Sequence, residues 1–164
     1  MKTIKRRRKE SKTDYLKRIG LLKSELPRVV FRKTNRYVIA QYVISKEAQD
    51  KILFGTSSKK LLTYGWPKEL EGSLKSIPAA YLTGILFGRK IIKEKLKKPI
   101  LDLGMHRAIH KTKPFAFLKG IIDSGIKIPC PEEAFPEEER IRGKNMVEDF
   151  SKFFDGIKSN IEKV

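Results

Sequence analysis

Cationic side chains crowd one bend of the chain, in the segment LPRVVFRKTNRYVIAQYV at residues 26–43. The cations are Arg28, Arg32, Lys33 and Arg36, and no acidic residue lies among them. A guanidinium makes forked hydrogen bonds with phosphate and stacks on bases. Asn35 and Tyr37 add base-edge and stacking contacts of the kind that folded RNA uses, although core packing is the alternative for Tyr37. The bend is therefore predicted to bind a phosphate-rich partner, and RNA in particular.

The N-terminal stretch carries the same sign of charge. Residues 1–10, MKTIKRRRKE, have no apolar periodicity and are predicted to form a basic arm without regular structure in the free protein. The following SKTD approximates a capping box, which predicts a helix that starts at Ser11. The basic run at residues 5–9 and the basic surface of the helix after it make this stretch a candidate nucleic-acid contact. A localisation signal or a merely solvated arm is the alternative for residues 5–9.

A weaker candidate site follows the third predicted strand, in the sequence SSKK at residues 57–60. Hydroxyl groups and lysines at the exit of a strand suit phosphate contacts. The residues concerned are Ser57, Ser58 and Lys59. A plain surface loop is the alternative.

Two histidines and one aspartate raise the question of metal chemistry. His106 and His110 have the spacing of zinc ligands on a helix, but they follow Gly104 in a predicted loop and no third ligand lies near in the sequence. Asp102 could be one carboxylate of a metal-dependent nuclease, yet such a site needs several converging carboxylates. The other acids cluster at residues 132–139, in the tail. We therefore expect no cofactor, no metal and no enzymatic activity.

The charge of the whole chain indicates a polyanionic partner. The 164 residues carry a formal net charge of +18, with 40% hydrophobic residues, which suffices for one folded core. Residues 1–36 hold 14 basic and 3 acidic residues, whereas residues 131–164 hold 6 basic and 9 acidic ones. A binding face followed by a non-binding tail explains this segregation. No helix-turn-helix or zinc module is visible, so RNA is favoured over double-stranded DNA.

Other classes of protein are disfavoured by simple absences in the sequence. A single cysteine excludes an internal disulfide and any cysteine-rich zinc site. No apolar run is long enough to cross a bilayer, and the N-terminus does not have the pattern of a signal peptide. A cytoplasmic location without membrane contact is expected.

Local patterns predict the elements that must position these residues. β-Branched and aromatic runs predict strands at residues 29–31, 37–44 and 51–55, and short apolar runs predict two more at 99–103 and 126–128. Asn35 can adopt a left-handed backbone at the first turn. Ser57–Ile77 is read as an irregular connection that docks through Tyr64 and Trp66. Helices are predicted after the cap Ser76, at residues 115–124 and at about 145–160.

The order of these elements predicts an α/β fold with a mixed sheet, in which an antiparallel hairpin is joined by parallel strand–helix units. Ala80, Gly84 and Gly88 recur every four residues in the first long helix. Because glycine weakens a helix, this spacing predicts a close approach of that helix to the sheet. The expected organisation is a basic arm and helix at residues 1–25, an α/β core at 26–130 and an acidic helical extension at 131–164.

Several segments together resemble a known family. They are KRRRKESKTDYLKR, LLKSELPRVVFRKTNRYVIAQ, GTSSKKL, YGW, IPAAYLTGILFGRK, LDLG and ERIRGKNM, in this order along nearly the whole chain. The chain resembles the 5S-rRNA-binding family of the large ribosomal subunit, the eighteenth large-subunit protein. The YGW connection and the acidic C-terminal segment are similar to the archaeal form.

The resemblance implies a structural role in the ribosome. It implies binding of 5S rRNA, contact with the large-subunit rRNA at the central protuberance, and neighbouring ribosomal proteins that include another 5S-binding protein. It assigns RNA contacts to the hairpin and the exit of the third strand, at the positions named above. In the arm and its helix it assigns them to Arg6, Arg7, Arg8, Lys12, Tyr15 and Arg18. The loop at residues 106–113 departs from the family pattern, although Arg107, His110 and Lys111 have suitable chemistry. A regulatory or architectural nucleic-acid binder and a nuclease that uses Asp102 remain as alternatives.

Overall fold

A mixed four-stranded sheet forms the centre of the fold. The computed structural model describes residues 3–47, 49–146 and 150–163, and these contain the strands β1 (Arg28–Lys33), β2 (Val38–Lys46), β3 (Gln49–Ser57) and β4 (Ile100–Asp102). The strand order is β3-β2-β1-β4. β1 pairs antiparallel with β2, β2 pairs antiparallel with β3, and β1 pairs parallel with β4. The predicted α/β fold with a mixed sheet is confirmed.

Six α-helices and three 3-10 helices accompany the sheet in the described residues. The α-helices are α1 (Arg6–Lys9), α2 (Tyr15–Lys23), α3 (Ile77–Lys93), α4 (Lys113–Asp123), α5 (Glu138–Ile141) and α6 (Phe150–Glu162). The 3-10 helices are Ser58–Tyr64, Lys68–Ser73 and Glu132–Ala134. None of the helices in the described ranges is long and apolar enough to cross a membrane.

The alternation of side chains along β1 separates two faces of the sheet. Val29 and Phe31 are fully buried on the inner face, where Phe31 contacts Phe117 of α4 with ring centroids 5.3 Å apart. Arg28, Val30 and Arg32 lie on the opposite face, which we call the outer face. α3 and α4 therefore cover the inner face and build the core there.

The small residues of α3 contact another helix and not the sheet. Ser76 caps α3 as predicted, since its hydroxyl accepts a hydrogen bond from the Ala79 amide at 3.4 Å. A Cβ on Gly84 would overlap the backbone carbonyl of Phe117 in α4. α3 does pack on the sheet, where Phe87 contacts Phe54 of β3 with ring centroids 4.9 Å apart. The prediction that the glycine spacing serves this contact was wrong, because the glycines instead allow two helix backbones to touch. Sequence spacing reveals a close contact but does not reveal its partner.

Two further local predictions were wrong. Residues 126–128 form no strand, although Ile126 is buried in the core. This short apolar run packs against the core and does not pair with a strand. The second helix starts at Tyr15 and not at Ser11, because the Asp14 carboxylate caps it by accepting from the amides of Leu16 and Lys17. The arm before it contains one helical turn, α1, whose side chains are exposed.

The C-terminal extension packs onto the core through its apolar stripe. The buried residues of α6 are Phe150, Phe154, Ile157 and Ile161. Val147, within the helix predicted at about 145–160, lies outside the described residues. Trp66 meets Phe150 at 4.9 Å between ring centroids, and the Asn160 amide donates to the Tyr64 carbonyl at 3.1 Å. Tyr64 and Trp66 thus hold the 3-10 connection against both the core and the tail.

Candidate nucleic-acid interface

The hairpin bend is fixed by a threonine, and its cations are exposed. The Thr34 hydroxyl accepts from the Tyr37 amide at 2.9 Å and donates to the Tyr37 carbonyl at 2.9 Å. Asn35 does not adopt a positive φ, so this turn does not use the left-handed backbone that asparagine tolerates. The side chains of Lys33, Asn35 and Arg36 all lie in solvent. Because the turn satisfies its own hydrogen bonds, these side chains are left available to a partner.

Tyr37 belongs both to the bend and to the core. Its ring is half-buried and packs against the hydrophobic cluster, as the core-packing alternative expects. Its hydroxyl donates to the Glu71 carboxylate at 3.2 Å, on the 3-10 helix Lys68–Ser73. The aromatic ring therefore anchors the bend and presents one edge to solvent.

Arg32 lies at the end of β1, on the outer face and in solvent. Its guanidinium packs over Gly104, where φ is +56° and where a Cβ would overlap the guanidinium nitrogen. Within the described ranges no carboxylate pairs with it, and its one hydrogen bond there goes to the Phe31 carbonyl at 3.4 Å. Gly104 therefore supports Arg32 without neutralising it.

Arg28 has a different environment on the same face. Its side chain is only 3% exposed and lies 2.7 Å from a carboxylate oxygen of Asp102 and 2.7 Å from one of Asp50. It also donates to the Ser45 hydroxyl at 2.9 Å. Burial works to raise the pKa of Asp50, but hydrogen bonds from Arg18, Ser45 and Arg28 lower it to about 2. The guanidinium of Arg28 is therefore buried and fully engaged by protein groups.

The exit of β3 contributes to the same end of the outer face. Arg32 is opposite Ile39, and Ile39 is opposite Ser57, so the three residues form one row across the sheet. Adjacent strands lie about 4.8 Å apart, which places Arg32 and Ser57 roughly 10 Å from each other. Lys59 is exposed beside them. Ser58 is fully buried and its hydroxyl accepts from the Val38 amide at 3.0 Å, so it serves the hairpin and does not reach the surface.

The arm is held by contacts among its own side chains. Glu10 accepts from Arg6 at 2.9 Å and pairs with Lys12 at 2.9 Å. The Arg7 guanidinium donates to the Thr13 hydroxyl at 2.9 Å, and Arg8 is exposed.

The helix that follows the arm is tied to the sheet. The Lys5 ammonium lies 4.4 Å from the centre of the Tyr15 ring. Arg18 pairs with Asp50 at 2.8 Å, which raises the pKa of Arg18 and connects α2 to β3. Arg6, Lys12 and Arg18 thus form ion pairs at the surface whose carboxylate a phosphate could replace.

The outer face also contains residues that the sequence analysis missed. Ile39 and Gln41 alternate with the buried residues of β2 and are half-exposed on this face. Gly55 lies opposite Gln41 and carries no side chain, which leaves the Gln41 amide accessible. The two-residue period of VIAQYV could have identified both side chains. Their neighbourhood to Arg32 depends on strand register, which no local pattern reports.

Sequence comparison with known proteins identifies the family of this chain. Residues 1–99 match the family model described as ribosomal large subunit proteins 60S L5, and 50S L18. The chain belongs to this family. A relative from Korarchaeum cryptofilum, named large ribosomal subunit protein uL18, is 45% identical over 141 residues, which cover 86% of this chain and 70% of the relative. The protein of the same name from Methanoculleus marisnigri is 43% identical over 159 residues, which cover 97% of this chain and 89% of the relative.

A third relative, the large ribosomal subunit protein uL18 of Methanoregula boonei, is 40% identical over 159 residues, covering 97% of this chain and 88% of the relative. These alignments extend well beyond residue 99, so this member of the family shares the C-terminal extension with archaeal relatives. The resemblance to the archaeal form is therefore confirmed.

The environment of Asp102 does not favour the nuclease alternative. One carboxylate oxygen of Asp102 accepts from Arg28 and the other accepts from the Gly104 amide at 2.8 Å. His106 and His110 contact different aromatic rings, those of Phe31 and Phe115. Within the described residues, no group of three or more histidine, cysteine or acidic side chains could hold a metal. Asp102 instead has a structural part, as the partner of a buried arginine.

Proposed function

We propose that this protein binds 5S rRNA and helps to attach it to the large rRNA at the central protuberance of the large subunit. Membership of a large-subunit ribosomal family supports a structural role in the ribosome, and with it a cytoplasmic location. The observation that carries the RNA-binding part is the row from Arg32 to Ser57 beside the exposed bend. It joins two candidate segments that are distant in sequence into one basic surface.

The proposed RNA surface combines the arm, the bend and the exit of β3. Its members are Arg6, Arg7, Arg8, Lys12, Tyr15, Arg18, Arg32, Lys33, Asn35, Arg36, Tyr37, Ser57 and Lys59. Arg28 and Ser58 are left out, because both are buried and bound to protein groups. The charges of the arm would exchange their bonds with Glu10 and Thr13 for bonds with phosphate.

The acidic extension at residues 131–164 is proposed to face protein neighbours, including another 5S-binding protein of the large subunit. Its negative charge disfavours RNA contact. Phe153 lies on α6 with about half of its surface exposed, at the edge of the buried stripe. The proposed organisation keeps the arm at residues 1–25, the core at 26–130 and this extension as separate functional parts.

A competition assay at about 150 mM salt tests the specificity for RNA. At this ionic strength the Debye length is about 8 Å, so long-range attraction between charges is largely screened. Labelled 5S rRNA is bound to the full-length protein and challenged with unlabelled tRNA or duplex DNA. We expect excess tRNA and DNA to leave the complex intact. Displacement of the labelled 5S rRNA by both tRNA and duplex DNA would instead identify a general nucleic-acid binder, which is the architectural alternative.

Removal of residues 1–10 and a salt titration separate affinity from specificity. The truncated protein is expected to bind more weakly and to keep its preference for 5S rRNA, because the arm supplies charge and the hairpin supplies shape. If six or more phosphates are engaged, affinity should fall about a thousandfold between 50 and 200 mM salt, by analogy with duplex DNA. A flat salt dependence would contradict the electrostatic part of the proposal.

A further inference from the structure

A second basic region lies behind the hairpin bend, in a cleft of about 360 Å³. The end of β1, the loop after β4, the start of α4 and the helix α5 border it. We call it the basic cleft and define it by its charged and apolar walls, Lys33, Arg107, Lys113, Arg140, His106 and Ile109. Its volume is at the lower end of the range for ligand sites, about 300–1,000 Å³, so it admits a single nucleotide and excludes a double helix.

Positive charge in the basic cleft lacks counter-ions. Of the five basic residues that line it, Lys111 pairs with Glu137 at 3.1 Å. For Lys33, Arg107, Lys113 and Arg140, no carboxylate lies within ion-pair distance among the residues that the structure describes. Repulsion among neighbouring cations that have no acidic partner destabilises the folded state. Proteins keep such an unfavourable arrangement mainly at functional sites.

The titration behaviour of two side chains agrees with this crowding. Burial, and then the charges of Lys33 and Lys75, lower the pKa of Lys113. Burial, and then Arg32 and Lys33, lower the pKa of His106, so its imidazole is neutral at pH 7. A neutral imidazole can stack on a base. Its ring is supported from below by Phe31, edge-on with centroids 6.3 Å apart.

We propose that the basic cleft receives one unstacked nucleotide of the RNA that the bend binds. Its phosphate would lie between Lys33 and Lys113, and its base would pack against His106 and Ile109, which is 56% exposed at the wall. Unstacked bases that pack on aromatic side chains are the usual basis of sequence-specific RNA recognition. Lys33 follows Arg32 at the end of β1 and points to the opposite face of the sheet, so an RNA strand that passes around the bend can contact Arg32 and place a nucleotide in the cleft.

This inference rests on the proposed function, since it assigns the nucleotide to 5S rRNA. The competing occupant, an acidic peptide of a neighbouring protein, lacks a base for the His106 and Ile109 wall. It would leave the affinity for 5S rRNA unchanged when the cleft is altered, which is one of the outcomes tested below.

The first test replaces the two facing lysines in the full-length protein, Lys33→Met with Lys113→Met. Methionine keeps the apolar stem and removes the charge. We expect the affinity for 5S rRNA to fall about a hundredfold, because each lysine would lose a charge-assisted contact with phosphate. The melting temperature should stay level or rise, because repulsion among the lysines is relieved.

The matched control is Lys119→Met on the same helix. Lys119 pairs with Asp123 at 3.2 Å and does not line the basic cleft. Its removal should change the affinity for 5S rRNA by less than about twofold, since a distant exposed charge is largely screened. If the double variant kept its affinity, the lysines would not contact the RNA. If it lost affinity together with melting temperature, they would be structural. Either outcome would overturn the inference.

The second test addresses the base with Ile109→Ser, which alters no charge. A several-fold loss of affinity is expected, whereas Ile92→Ser, at an isoleucine 46% exposed on α3, should have no effect. Unchanged affinity in Ile109→Ser would overturn the inference. Failure of the proposed function would be seen in the competition assay, where the wild-type protein would bind 5S rRNA no better than tRNA.

Discussion

Two arginines on one strand, Arg28 and Arg32, have opposite environments although both lie on the outer face of the sheet. Arg28 is 3% exposed and bound by two carboxylates and a hydroxyl, whereas Arg32 is exposed at the strand end and rests on Gly104. The acids that bind Arg28 lie 22 and 74 residues away in sequence. The function of an arginine is therefore set by which distant groups the fold brings to it, and not by its place in a basic run.

The difference also separates stability from binding. Both charges of the Arg28–Asp102 pair are desolvated, so loss of one partner would leave the other uncompensated. Arg32 keeps its hydration in the free protein and can exchange water for phosphate. The same residue type thus stabilises the fold at one end of β1 and, in the proposed function, binds RNA at the other.

The largest expected effect comes from Arg28→Met. We expect the free energy of unfolding to fall by about 3–5 kcal/mol, because Asp102 would be left buried without its cation. Urea denaturation of the variant and the parent measures this loss. Arg32→Met is the matched control and should change stability by less than about 0.5 kcal/mol. If Arg28→Met kept its stability and bound RNA more weakly, Arg28 would be an RNA contact like Arg32 and not a structural residue.

A smaller effect is expected on binding when the exposed cations are removed. Arg32→Ala with Arg36→Ala should weaken 5S rRNA binding about a hundredfold, at about 1.5 kcal/mol for each lost charge-assisted contact, with the melting temperature nearly unchanged. Filter binding and thermal melting measure the two quantities. Arg142→Ala with Lys127→Ala removes the same charge from exposed positions elsewhere and should have little effect. Loss of stability in the first variant would make that pair structural.

Gly104→Ala sharpens the comparison without removing any charge. The new Cβ would overlap the Arg32 guanidinium and displace it. We expect a several-fold loss of affinity for 5S rRNA and a loss of about 1–2 kcal/mol in stability from the left-handed backbone. Gly72→Ala, where a Cβ meets nothing within 4 Å, should have neither effect. Unaltered binding in Gly104→Ala would show that the position of Arg32 is not important.

The smallest effect is an acid-dependent loss of stability at Asp50. Its pKa lies at about 2 in the folded protein, below the ordinary value of 3.8, so its ion pairs stabilise the fold fully above that value. This contribution, about 1 kcal/mol or less for a partly exposed pair, should disappear as the pH falls from 4 towards 2. Melting curves of the parent and Asp50→Asn should therefore converge below pH 4. A constant difference down to pH 2 would contradict the assignment.

The elements that depend on local signals were predictable. Ser76 followed by Ile77 and Pro78 is a helix start in any context, and α3 begins there. The hairpin strands and β4 also follow from short runs of β-branched and apolar residues. The sequence therefore predicted the strands, the long helix and the exposed bend from neighbours within a few positions, and the mixed sheet followed from the order of these elements along the chain.

The errors concern residues whose partners are distant. Gly84 contacts α4 and not the sheet, since a glycine permits any close neighbour and specifies none. Ser58 was a candidate phosphate ligand and instead binds the Val38 amide, because the register of β2 and β3 buries it. Arg140, 107 positions beyond Lys33, enters the basic cleft through a helix whose position no local pattern reveals.

The sequence by itself determined the segregation of charge, the hairpin and the basic arm, because composition and short-range patterns do not depend on the rest of the chain. Only the tertiary structure decided which cations are free. Desolvation and ion pairing are set by the atoms that surround a side chain. Asp50 and Asp102 reach Arg28 through sheet pairing, and Lys33 meets Lys113 where the loop after β4 returns to the sheet.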